Sequence, residues 1–167
     1  TDPVASSNSD LLDPADFMSV FEWVLDPDGN PETTDDMPDV INNSWGYDYN
    51  LAIMIGACEM QEAEILQVIE TAGICSPFSA GNEGPGAATN RFPAMIAYNE
   101  VNCMSIGAVN GNVETYPIAD FSSRGPTPCI SEEGPLQIKP EVVAPGYNVR
   151  SASGHNSYEF LSGTSMA

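Results

Sequence analysis

At 167 residues the chain has the length of one domain, and its 42% apolar content is that of a soluble globular protein with a core to bury. Against 24 acidic residues stand only Arg91, Arg124, Lys139 and Arg150, and the net charge of −20 excludes nucleic acid as a partner, since phosphate contact needs clustered cations. No apolar run approaches the roughly 20 residues of a membrane span, so no membrane insertion is expected, and Thr1-Asp2-Pro3 does not read as a signal peptide.

Asp13-Pro14-Ala15-Asp16 predicts a helix start, with Asp as N-cap and Pro at the first helical position. Phe17, Val20, Phe21 and Val24 then fall on one face, and the two prolines and glycine of 25–31 end the helix. Within this acidic turn Asp26, Asp28, Asn30 and Glu32 alternate around Gly29, a spacing that suggests structural calcium, although Met37 stands where a full calcium loop needs its bidentate Glu. A solvated acidic turn is the plainer reading.

Residues 38–44 predict a short strand running into Trp45-Gly46, and 51–72 a second helix closed by Gly73. Strands follow at 74–80, 103–109 and 141–144, with glycine-rich breaks after Ser44 and Ala80 and Pro145-Gly146 closing the last. Strands alternating with helices predict an α/β fold on a parallel sheet, with sites in the loops beyond the strands' carboxyl ends. Cys58, Cys75, Cys103 and Cys129 contain no CxxC pair, and three pairings are open. Cys75 and Cys103 sit in strand-like segments and read equally well as buried apolar residues.

Three segments carry chemistry. Leu161-Ser162-Gly163-Thr164-Ser165-Met166-Ala167 presents a serine between small residues, open to a carbonyl substrate. Phe78-Ser79-Ala80-Gly81-Asn82-Glu83-Gly84 places a side-chain amide on a glycine-rich turn, where its NH2 can meet a developing oxyanion. The bland alternatives are a Ser/Gly loop and a turn asparagine. Gly-Thr-Ser-Met-Ala and Ser-Ala-Gly-Asn-Glu-Gly closely resemble the nucleophile and oxyanion-hole motifs of the subtilisin-like serine peptidases. Asp39-Val40-Ile41-Asn42-Asn43-Ser44-Trp45-Gly46 resembles the family strand that pairs with substrate.

The resemblance runs from about Asp16 to Ala167, and the insert 26–37 is similar to that of bacillopeptidase F-like members. It implies a three-layer subtilisin-like sheet with helices on both faces, Ser165 as nucleophile and Asn82 as oxyanion donor. Ser44, Trp45 and Gly46 would form one wall of the S1 pocket and Ser79, Ala80 and Gly81 the other. A Trp there points to a large or apolar P1 side chain, unless Trp45 is a core aromatic. It further implies protein or peptide substrates, a secreted or cell-surface setting, no cofactor for the chemistry, and a cis peptide at Phe92-Pro93.

The departures define a partial domain. No Asp-Ser/Thr-Gly or His-Gly-Thr-His segment occurs, and no helix follows the nucleophile. The only histidine, His155, lies in a Gly/Ser loop ten residues before Ser165 and reads as a surface residue. The 167 residues alone are therefore expected to be inactive, and to self-associate through a free sheet edge. The rival readings are a catalytically dead scaffold on the same fold and an acidic calcium-binding structural protein.

Overall fold

The computed structural model describes residues 14–54, 56–59, 61–96, 104–129, 138–154 and 156–167. Helix α1, Pro14–Leu25, begins on the predicted proline and buries Phe17, Phe21 and Val24. Each of these side chains contributes roughly 2–3 kcal/mol by leaving water. Asp26 begins the turn that ends it, and Gly29 adopts φ +74° within that turn.

The single helix expected over 51–72 is three pieces. Helix α2 covers Tyr49–Met54, a 3-10 turn covers Ala57–Glu59, and helix α3 covers Gln61–Thr71. Gly56 at φ +68° breaks the run, since no right-handed helix passes through that conformation. Cys58 in the interruption is bonded to Cys129, while Cys75 is free. Helix α3 closes as expected: Gly73 stands at φ +88°, its N–H donates to Glu70 O and the Ile74 N–H to Ile69 O. Ala63, Ile65, Leu66 and Ile69 of α3 meet Phe17, Phe21 and Val24 of α1 in the main core.

The sheet is parallel. Strand β1, Phe78–Ser79, pairs with β2, Ser105–Val109, and β2 with β3, Val142–Pro145. The predicted strand over 74–80 is regular only at its end, because Pro77 has no N–H to give to a ladder. Its earlier part still runs beside residues 39–43 through parallel bridges Val40–Cys75 and Asn43–Phe78. Cys75 is exposed rather than buried: Ile74 and Phe78 carry the apolar contact of that segment. Cys103 and His155 lie outside the described residues.

The Gly/Ser loop expected around 151–157 is instead an antiparallel hairpin, β4 (Val149–Ser153) on β5 (Ser157–Leu161). Gly154 and Asn156 take positive φ at its turn, and Arg150 stacks 4.0 Å over the Tyr158 ring. Neither strand buries a regular face, so no alternating pattern announced it. The Phe92-Pro93 peptide is cis.

Candidate active site

The carboxyl ends of the parallel strands converge on the segment carrying Ser165. The Gly146 N–H, just beyond β3, donates to Val109 O at the end of β2, and the Gly163 N–H donates to Gly146 O. A Cβ on Gly146 would lie 2.7 Å from Gly163 O, so only glycine permits this approach. Thr164–Met166 then form a single 3-10 turn across the strand ends.

This turn brings together residues 121 positions apart. Ser165 Oγ donates to Ser44 O at 3.5 Å, and Ser44 Oγ donates to Ser165 O at 3.2 Å. Among the described residues no imidazole or carboxylate bonds the Ser165 hydroxyl, so no base is present there to take its proton.

Asn82 stands directly after the β1 strand end. Its Oδ1 accepts from the Thr164 N–H at 2.9 Å and from Thr164 Oγ1 at 3.0 Å, and Thr164 Oγ1 in turn accepts from the Gly81 N–H at 3.1 Å. With the carbonyl end of the amide held, the Nδ2 end has no hydrogen-bond partner among the described residues. A fixed amide with a free NH2 beside a serine is a donor arranged for an oxyanion. Thr164 is the member of this arrangement that sequence reasoning missed. It sits inside the nucleophile motif, but only tertiary contact shows what its hydroxyl holds.

The two predicted pocket walls lie side by side. The Ser79 N–H donates to Asn43 O, and the Arg91 N–H to Ala80 O, while Tyr47 and Phe92 exchange N–H···O bonds. The segment 44–46 thus begins beside Ser79, and residues 91–92 bond to Ala80 on one side and to Tyr47 on the other. The Trp45 ring packs edge-on against Phe17 at 5.4 Å and Phe78 at 5.5 Å, against the main core. Between the two segments lies a second group unforeseen from sequence. Arg91 Nε donates to Glu83 Oε1 at 3.0 Å and its Nη1 to Gly46 O at 3.1 Å; Glu83 Oε2 accepts from the Asn82 N–H and from Ser123 Oγ.

In the acidic turn the carboxylates of Asp26, Asp28 and Asp36 gather, their ligand atoms within 4.8 Å of one another. Glu32 is not among these carboxylates. The Asn30 N–H instead donates to Asp28 Oδ1, and Asn30 Oδ1 accepts from the Glu32 N–H.

Residues 5–167 match the model of the subtilase family. The chain belongs to that family. It is 37% identical over 165 residues to bacillopeptidase F of Bacillus subtilis (strain 168), covering 92% of this chain and 10% of that protein. To serine protease AprX of the same organism it is 30% identical over 151 residues, covering 86% of this chain and 30% of the relative. Among solved structures, the S41 psychrophilic protease superposes with a TM-score of 0.66 at 26% identity, over 91% of this chain and 45% of that one. Sphericase gives the same TM-score at 23% identity, a likeness of fold alone. The chain thus spans a tenth to under a third of the two curated relatives and about half of the two structures. Its parallel sheet and helices are those of an incomplete subtilisin-like α/β fold, in a family of serine peptidases.

Proposed function

We propose that the protein to which these residues belong is a serine endopeptidase that cleaves proteins or peptides through an acyl-enzyme. Ser165 Oγ attacks the scissile carbonyl, and its proton passes to a histidine supplied from outside this chain and oriented by a carboxylate. The tetrahedral oxyanion is held by Asn82 Nδ2 and the Ser165 N–H. The observation that carries this reading is the clamping of Asn82 Oδ1 by Thr164, next to the serine, which leaves the amide NH2 free. Substrate would lie along the Ser44–Gly46 and Ser79–Gly81 segments, main chain to main chain. A secreted or cell-surface setting accords with the Cys58–Cys129 disulfide, since such bonds persist in oxidising compartments.

No cofactor enters this chemistry. A divalent cation would act on stability alone, held by Asp26, Asp28 and Asp36. Asp26 Oδ1 and Asp36 Oδ1 are buried without a hydrogen-bond partner, and hard oxygen ligands of this kind suit calcium.

The test is intact mass after a fluorophosphonate probe, applied to this chain and to the full-length protein. Labelling at Ser165 in the full-length protein alone supports a peptidase whose base lies outside these residues. Labelling in neither overturns the reading in favour of a scaffold, and labelling of the short chain shows that a base is present within it.

A further inference from the structure

One side chain, that of Arg91, lies between the glycines of the two segments. A Cβ on Gly46 would lie 2.9 Å from Arg91 Cβ, and a Cβ on Gly81 would lie 3.0 Å from Arg91 Cγ. The aliphatic stem of Arg91 therefore passes between the two glycines that end the walls, and glycine is needed on both sides for it to fit. Gly81 also stands at φ +110°, where a side chain would be strained. The guanidinium is fixed by Gly46 O and Glu83, and the Arg91 side chain as a whole is 37% exposed.

The hydrogen-bond inventory of this group is one-sided. Glu83 Oε1 takes two bonds from Arg91, and Glu83 Oε2 takes one from the Asn82 N–H and one from Ser123 Oγ. A carboxylate has about four acceptor sites, so Glu83 has none left to offer. Arg91 uses three of the five guanidinium N–H groups, and the other two have no partner among the described residues. This group thus presents donors without acceptors.

Resting on the peptidase reading above, we propose that Arg91, held by Glu83, is a specificity-determining residue that selects a P1 side chain ending in an oxygen acceptor, glutamine or glutamate. Such a side chain reaches the two free N–H groups. An apolar one leaves them desolvated and unpaired, and a basic one meets a cation whose carboxylate partner has its acceptor sites already taken. This replaces the large or apolar P1 residue suggested by Trp45, whose ring lies against Phe17 and Phe78.

The experiment uses the full-length protein and matched fluorogenic peptides differing only at P1 (Gln, Glu, Leu, Phe and Lys), with fluorophosphonate labelling of Ser165 in parallel. Wild type is expected to cleave the Gln and Glu peptides with kcat/KM at least about tenfold above Leu, Phe and Lys. Arg91→Met, which keeps the stem and removes the donors, is expected to lose that preference by a similar factor while still labelling. A wild-type preference for Phe, Leu or Lys overturns the proposal whether or not the variant folds. So does an unchanged preference in an Arg91→Met protein that labels. Absence of both labelling and cleavage in wild type instead overturns the peptidase reading, and the P1 assignment with it.

Discussion

The side-chain oxygen of Asn82 accepts two hydrogen bonds from one residue, Thr164, through its N–H at 2.9 Å and its hydroxyl at 3.0 Å. The residue that would stabilise the oxyanion is therefore oriented by the immediate neighbour of the nucleophile. Two loops separated by 82 positions are locked into one geometry.

In the full-length protein Asn82→Ala is expected to lower kcat by about 10²–10³-fold with little change in KM. That range is the one known for an oxyanion-donor amide in a related subtilisin rather than one this geometry supplies. Thr164→Val keeps the N–H bond to Asn82 Oδ1 and removes the hydroxyl bonds to Asn82 and Gly81, so it should cost kcat about tenfold. Steady-state kinetics on one peptide checks both, and a Thr164→Val loss appearing in KM alone would contradict the positioning role.

The Cys58–Cys129 bond joins the 3-10 turn between α2 and α3 to a loop 71 positions away. Closing a loop of that length removes about 4 kcal/mol of unfolded-state entropy in the chain-entropy model. Urea unfolding of the reduced chain, or of Cys58→Ser/Cys129→Ser, should show a lower midpoint than the oxidised form. Equal midpoints would mean that the bond constrains nothing that the apolar core has not already ordered.

Gathering Asp26, Asp28 and Asp36 brings three negative charges within 4.8 Å. Calcium added to the chain should release heat in a calorimetric titration and raise the thermal midpoint. Asp36→Asn should abolish both effects, since it removes a charge and one of the unpartnered buried oxygens. No heat at millimolar calcium would leave the cluster a solvated acidic turn.

Association of these 167 residues should depend on salt with an unusual sign. A charge of −20 keeps copies apart at low ionic strength, while Val40, Ile138, Val142 and Val143 expose apolar surface. Raising salt from 0.1 M to 1 M shortens the screening length from about 10 Å to about 3 Å. Light scattering is expected to show a monomer in the first condition and larger species in the second. A monomer throughout would count against a self-pairing edge.

Much of this protein is local in origin. Short motifs determine Ser165 and Asn82 as candidates, because nucleophile and oxyanion donor each need particular neighbours within a few residues. The α1 stripe and the cap at Gly73 are likewise local, arising from helix periodicity and from glycine at positive φ. What escaped the sequence depended on pairing at a distance. The 149–161 hairpin lacks a buried face, and the break at Gly56 lies inside an otherwise helical apolar pattern. The carboxylate cluster includes Asp36 rather than Glu32, because the chain folds back so that the Asp28 N–H meets Asp36 Oδ2.

By itself the sequence determined the family, the candidate nucleophile and the strand-and-helix class, all of which are written in contiguous residues. Only the tertiary structure decided that Thr164 holds Asn82, that Trp45 turns to the core, and that Arg91 lies between Gly46 and Gly81. Those are contacts between segments tens of residues apart, set by strand register and by the close approach that glycine allows.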